Sequence, residues 1–525
     1  MKPFDERGVF GPAADGPSLR RLAVRGAGFT VAGQSAGFAV QMIATIVLAR
    51  LLTPADFGVV IMVTTFSLLF VNFGVNGFTE AVLQRESIDH RLASNLFWIN
   101  LSAGAALAVA FAGAAPLLAA FYGDPRVVGV TRALSVTILV SSASVLHLAL
   151  LKRAMRFPLV STNDLLARLI AVLASVVLAL AGWNYWALVG GAIALPLVTC
   201  IGAWTVCRWV PGPPRRDART IPMIAFAMNT YGRFIASYLT WNLDNLLVGW
   251  RFGPAPLGFY KKAYDLFVLP VNQLSSPLTA VAVSSLSRLA GDPVQYRRYY
   301  LRALSILAFV GMGLATVLTL IGRDVILLLL GPRWTESGRI FTFFAPAIGV
   351  MLLYYTNNWI HLSIGRADRC FRWGVVDITV TASFFLAGLR WGPVGMAIAW
   401  VTSLWVLTIP GLSYAGRPVG LRIASVIEAT WKYVVAGALA GVAAAAACET
   451  PNVAAALASI GVAGRIAIVS LLVGALYLSA VILLHRGCAP IRQVAAILRD
   501  MLPLPRLPRS VVASSNQPSA ISIQQ

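Results

Sequence analysis

The chain has 525 residues, of which 58% are hydrophobic and 12% charged, with a mean hydropathy of +0.77. Soluble domains carry about 25% charged residues, so a soluble enzyme or binding module is excluded and a polytopic membrane protein is indicated. The formal charge of +22 does not describe a nucleic-acid surface, because its Lys and Arg are dispersed between apolar runs as the positive-inside rule places them; no nucleic-acid partner is expected.

Residues 1–25 are polar, punctuated by Gly and Pro, and lack the apolar core and cleavage site of a signal peptide, which reads as a cytoplasmic tail. Apolar runs of about 20 residues, the length that spans a bilayer, follow at 26–49, 57–77, 95–120, 129–151, 161–182 and 186–206. They make an N-lobe, 26–206. A basic, Pro-rich stretch, CRWVPGPPRRDAR from Cys207 to Arg219, lies in a cytoplasmic linker, 207–222. Six more runs at 223–249, 259–287, 300–322, 338–363, 372–389 and 391–413 make a C-lobe, 223–413. Two final helices, at 430–448 and 462–485, lie within 414–485, and a tail rich in Pro, Ser and Gln, 486–525, is expected to be disordered. The fold class is an all-α integral membrane protein of about 14 transmembrane helices: two pseudo-symmetric six-helix lobes plus two C-terminal helices. Alternating the connections puts roughly 29 Lys and Arg on the side of the termini and about 11 opposite, so both termini are expected in the cytoplasm.

Two observations suggest a duplication. Thr53–Gly58 (TPADFG) aligns with Gly253–Gly258 (GPAPLG) at Pro54/Pro254, Ala55/Ala255 and Gly58/Gly258, and Asn72 aligns with Asn272. At an offset near 205, Leu180-Ala181-Gly182 recurs as Leu386-Ala387-Gly388. Parallel repeats of this kind build transporters whose substrate site lies between the halves. Prolines at 116, 196, 270, 277 and 346 interrupt spans and are candidate kinks.

The chain carries no phosphate-binding GxxxxGK[ST] loop and no HExxH, its four histidines lack metal-ligand spacing, and its five cysteines show no CxxC. Neither ATP hydrolysis, nor a resident cofactor or metal, nor enzyme chemistry is expected. Polar residues inside the spans stand out instead. Arg233 and Asp244 lie in one apolar stretch, where each costs roughly 2.5 to 3.5 kcal/mol on insertion scales and so needs a partner or a wet cavity. They are about three turns, or ~16 Å, apart on one helix face. Gln34, Gln41 and Thr45 line one face of the first helix. Asn72 and Asn76 on the second helix and Asp265, Asn272 and Gln273 on the eighth extend this lining, with Lys261 and Lys262 at an outer mouth. Asp164 and Arg168, four apart, are spaced for an ion pair. The candidate substrate-binding set is Arg233, Asp244, Gln41, Asn72, Asn272, Asp265 and Lys261; with Lys262 at the mouth, the inferred cavity has more cations than anions, which suits a phosphate-bearing substrate. A structural pair between Arg233 and a carboxylate such as Asp265 is the plainer alternative.

At LARLLTPADFG (Leu48–Gly58), LFWINL (Leu96–Leu101), AFYGDP (Ala120–Pro125) and NLDNLLVG (Asn242–Gly249), and over nearly the whole helical plan, the chain resembles bacterial polysaccharide transporters. These are the O-antigen and exopolysaccharide flippases of the multidrug/oligosaccharidyl-lipid/polysaccharide exporter superfamily. The resemblance implies alternating-access transport of an undecaprenyl-diphosphate-linked oligosaccharide across the inner membrane, for lipopolysaccharide or exopolysaccharide synthesis. It also implies coupling to a proton or sodium gradient, a cationic central cavity and a hydrophobic portal for the polyprenyl tail. The implied partners are the lipid-linked oligosaccharide, membrane lipids and the polysaccharide polymerase machinery. A multidrug cation antiporter of the same superfamily would favour an acidic cavity, whereas Asp244 and Asp265 are outnumbered here. A membrane-embedded glycan-assembly enzyme would need a long loop carrying catalytic carboxylates.

Overall fold

The computed structural model describes residues 3–5, 8, 10, 17–84, 87–215, 217 and 219–494; a few side chains within helices, including that of Arg233, also lie outside the described residues. An apolar run in lipid must satisfy its backbone N–H and C=O groups internally, and these runs all fold as helices. The first group comprises α1 (Pro17–Leu51), α2 (Pro54–Gln84), α3 (His90–Gly113), α4 (Ala115–Tyr122), α5 (Arg126–Arg153), α6 (Phe157–Leu180) and α7 (Tyr185–Cys207). The second comprises α8 (Thr220–Phe252), α9 (Pro254–Arg288), α10 (Pro293–Leu330), α11 (Thr335–Phe344), α12 (Ile348–Ser363), α13 (Ala367–Gly388) and α14 (Gly392–Gly416). Helices α15 (Ile423–Glu449), α16 (Pro451–Ser459) and α17 (Val462–His485) follow, with α15 and α17 packed on α10.

Several boundaries move from their expected places. Helix begins at Pro17, inside the expected tail. The expected span 95–120 breaks at Ala114 into α3 and α4, with Pro116 in the first turn of α4, where its missing N–H costs no bond. Pro346 sits in a 3-10 turn between α11 and α12, and α9 bends by 40° between Pro254–Ser276 and Val281–Arg288. Pro196, by contrast, lies inside α7. Among the described residues, eleven helical segments are long and apolar enough to cross a membrane, or up to 12 with the bent α9 counted as one span. The difference from 14 lies in two elements. The 52-residue segment Asp368–Val419, holding both α13 and α14, counts once, and the polar α8 does not count.

The interior of each group is built on one strongly buried element, α5 in the first and α11–α12 in the second, 72% and 78% buried over their apolar windows. α1, α6 and α7 are only 17% to 22% buried over theirs, leaving broad apolar faces for lipid. The connection between the groups is pinned at the end where α2 and α7 finish. Trp98 donates Nε1–H to Gly212 O (2.8 Å), and Asn95 exchanges bonds with the Arg215 backbone at 2.6 and 2.8 Å. Arg219 bridges Asp89 and Asp217, at 2.6 Å each. Hydrogen bonds from its guanidinium and backbone N–H pull the Asp217 carboxyl down to about 2.

Candidate functional site

The two groups meet at the opposite end, where α1 turns into α2 and α8 into α9. Thr53 and Asp56 cap α2 reciprocally: Thr53 donates its N–H and Oγ1–H to Asp56 Oδ2 at 2.9 and 2.6 Å, and Asp56 N–H donates to Thr53 Oγ1 at 3.3 Å. The equivalent turn into α9 has no such side chain and relies on Gly253, whose φ of +83° favours glycine. The first turns of α2 and α9 then pack backbone to backbone. A Cβ on Gly58 would lie 1.8 Å from Pro254 O, and a Cβ on Gly258 would lie 2.0 Å from Pro54 O. The matched residues of the repeat therefore touch each other across a pseudo-two-fold seam. Only a residue without a Cβ fits at either place.

Five further contacts hold this end shut. Arg50, at the end of α1, donates to Leu328 O (2.7 Å) and Leu329 O (3.3 Å) at the end of α10. Fully buried Trp334 donates Nε1–H to Ala49 O at 2.8 Å, and its ring meets Phe57 edge to face at 5.4 Å. The ammonium of Lys262, 9% exposed, lies 4.3 Å from the centre of the Phe57 ring.

A charged cluster sits just beneath the seam. Asp244, 1% exposed, accepts from Tyr260 Oη–H at 2.9 Å and from Asn245 N–H at 2.8 Å. On α9, Lys261 pairs with Asp265 at 2.7 Å, one helical turn on. This brings Asp244, Lys261 and Asp265 of the expected set together with Tyr260 and Lys262 at the joint between the groups. It also gives Asp265 a partner other than Arg233. Arg233 is in α8, three residues before the midpoint of that 33-residue helix, and its side chain lies outside the described residues, as do those of Asn76, Ser237 and Thr240.

Away from the seam the packing is lopsided. α2 lies along both α8 and α9, with Tyr231 Oη–H donating to Leu69 O (2.8 Å) and Tyr238 Oη–H to Thr65 O (2.9 Å). Among the described residues α1 has no comparable packing on α8 or α9. Gln34 and Gln41 on α1, and Asn272 and Gln273 on α9, are exposed. Asn72 is half-buried and donates Nδ2–H to Leu68 O at 2.8 Å. Asp164 and Arg168 form the expected ion pair, at 2.9 Å. Asp164 also lines a cavity of about 280 Å³ within the first group, walled by hydroxyls such as Ser67, Thr137 and Ser141.

Sequence reasoning missed Phe57, Tyr260 and Trp334, which carried no polar anomaly to mark them. It also missed a cluster on α12 and α13, where Thr381 Oγ1–H donates to Asp377 (3.3 Å) and Trp373 Nε1–H to Tyr354 Oη (2.9 Å). Taken together, these residues centre on the boundary between the two helix groups. This joint is shut at one end, charged beneath, and open to one side.

Comparison with known proteins follows the same lines. A family model described as polysaccharide biosynthesis protein matches residues 47–339. The succinoglycan biosynthesis transport protein ExoT of Rhizobium meliloti (strain 1021) is 21% identical over 394 residues, covering 75% of this chain and 80% of its own length. The lipopolysaccharide biosynthesis protein WzxC of Escherichia coli (strain K12) is 22% identical over 407 residues, covering 76% and 81% respectively. Among solved structures, the lipid II flippase MurJ in an inward closed conformation superposes with a TM-score of 0.70 at 12% identity, over 87% of this chain and 98% of that one, a likeness of fold.

Proposed function

The chain belongs to the polysaccharide biosynthesis protein family, and on that premise we propose that it moves an undecaprenyl-diphosphate-linked oligosaccharide across the bacterial inner membrane by alternating access. It is a multi-pass membrane transporter rather than an enzyme. The observation that carries the mechanism is the reciprocal glycine seam: two helix groups bound at one end through matched repeat elements form a hinge-and-gate pair.

In this reading the termini are cytoplasmic and the seam is the outer gate. The diphosphate enters between the groups and meets Arg233 and Lys261, with Gln41, Asn72 and Asn272 offering hydrogen bonds to the sugars and Asp244 and Asp265 setting the position of the cations. The polyprenyl tail stays in lipid through the gap between α1 and α9, which among the described residues do not pack along each other. Opening the seam breaks the three bonds from Arg50 and Trp334 and the Lys262–Phe57 contact. Their combined worth is roughly a few kcal/mol, a scale that a bound diphosphate or a coupled proton or sodium gradient can offset. The lysines at the joint disfavour a cationic drug as cargo. Polymerase machinery would act on the delivered unit at the outer face.

Deleting the gene in its host tests the reading. Lipid-linked repeat units should accumulate in the inner leaflet while polymer disappears. Failure of the lipid-linked unit itself to form would move the protein to the synthetic steps and reject the proposal.

A further inference from the structure

The seam end holds a second concave site, separate from the charged cluster. A pocket of about 560 Å³ lies between the ends of α1 and α10 and the start of α17, and both Arg50 and Arg333 line it. Its other walls are backbone and apolar side chains, among them Leu327, Leu328 and Val462. No carboxylate is among the lining residues. Several other arginines at this end have a carboxylate partner: Arg126 pairs with Asp124, Arg339 with Glu336 and Arg465 with Asp324. Arg50 instead spends two of its five N–H donors on the α10 carbonyls, and Arg333 makes no hydrogen bond or ion pair among the described residues. The start of α17, whose cap residue Gly461 gives no side-chain bond, adds the positive end of a 24-residue helix dipole. An anion seated in the depression would have both guanidiniums in its wall.

We propose that this pocket binds the phosphate of an anionic bilayer phospholipid. Its position fits a headgroup: α10 ends here, α17 is a peripheral, largely exposed span, and the lining residues Leu328 and Val462 are exposed, offering apolar surface for acyl chains. Its chemistry fits a phosphate rather than a glycan. The lining residues offer no side-chain hydroxyl, amide or carboxylate to read sugar hydroxyls, whereas an arginine fork suits phosphate oxygens. Because Arg50 belongs to the first helix group and Arg333 to the second, one phosphate would bridge them and favour the shut seam.

The test is native mass spectrometry of the purified full-length chain titrated with phosphatidylglycerol, phosphatidylcholine or undecaprenyl phosphate. Arg333→Ala is the informative variant, since it removes no internal bond; Arg390→Ala, which takes an exposed cation from the same end, is the control. Phosphatidylglycerol should bind the unaltered chain in preference to phosphatidylcholine. Arg333→Ala should weaken that binding roughly tenfold or more, Arg333→Lys less, and Arg390→Ala should leave it unchanged. Equal loss in both alanine variants would mean diffuse surface charge and overturn the site. Preference for undecaprenyl phosphate over phosphatidylglycerol would make it a cargo site and overturn the assignment to a bilayer phospholipid. Neither result touches the transport reading, which stands or falls on the deletion strain.

Discussion

Replacing Gly58 by Ala should force the seam apart. The added Cβ would lie 1.8 Å from Pro254 O, 2.4 Å from Pro254 C and 2.7 Å from Pro254 Cα. Real Cβ atoms essentially never approach within 3.0 Å, so about 1 Å of separation is needed. All three obstructing atoms are backbone, at the start of a 35-residue helix, and no rotamer change relieves them. Overpacking of this sort costs about 1 to 3 kcal/mol when it is absorbed locally, equivalent to a 5- to 150-fold shift against the shut state. Gly258→Ala meets Pro54 O at 2.0 Å and should behave alike. Because both act on one interface, the double variant should cost less than the sum. Spin labels at Leu117 and Trp391, both highly exposed and at the seam end of different helix groups, would report the change. The account expects a longer inter-label distance to gain population in Gly58→Ala, with the protein still inserted. An unchanged distance distribution and unchanged export would refute the claim that the glycine seam is what holds this end shut.

Two further outcomes follow from the same scheme. Cysteines placed at Pro213, in the pinned connection, and at Ser515, in the tail, should be labelled from the same, cytoplasmic side by a membrane-impermeant reagent; opposite sides would end the 14-span scheme. Arg233→Ala should lower polymer output by about tenfold or more while membrane abundance stays normal, and Arg233→Lys should recover only part of it, because an ammonium cannot offer two parallel donors to phosphate. Low abundance of Arg233→Ala would indicate a structural arginine, and full output at normal abundance would remove it from the site.

How much of this was legible in the sequence differs from residue to residue. The equivalence of Pro54 with Pro254 and Gly58 with Gly258 could be read from a constant offset. That they touch could not, because an offset gives correspondence and not proximity; the seam needs the two groups to face each other. Prolines 116 and 346 marked real breaks, since a missing N–H is tolerated best in a first turn. The pairing of Lys261 with Asp265 was available from their four-residue spacing, the same rule that identified Asp164 with Arg168. It was obscured because Asp265 had been placed against the more conspicuous Arg233. Arg50 read as one more scattered cation, although its role as a clamp depends on the α10 carbonyls 278 and 279 residues away. Trp334 and Phe57 looked like ordinary apolar residues of a membrane protein, and only their location at the joint distinguishes them.

The central claim is that this chain carries a lipid-linked oligosaccharide across a bilayer, and reconstitution measures that most directly. Purified protein in proteoliposomes would be given a fluorescent oligosaccharide on undecaprenyl diphosphate, with inner- and outer-leaflet pools distinguished by an impermeant quencher. The account predicts exchange between leaflets that depends on the protein and is reduced in Gly58→Ala and in Arg233→Ala. Exchange no faster than in protein-free liposomes, under both proton and sodium gradients and with correctly inserted protein, would contradict it.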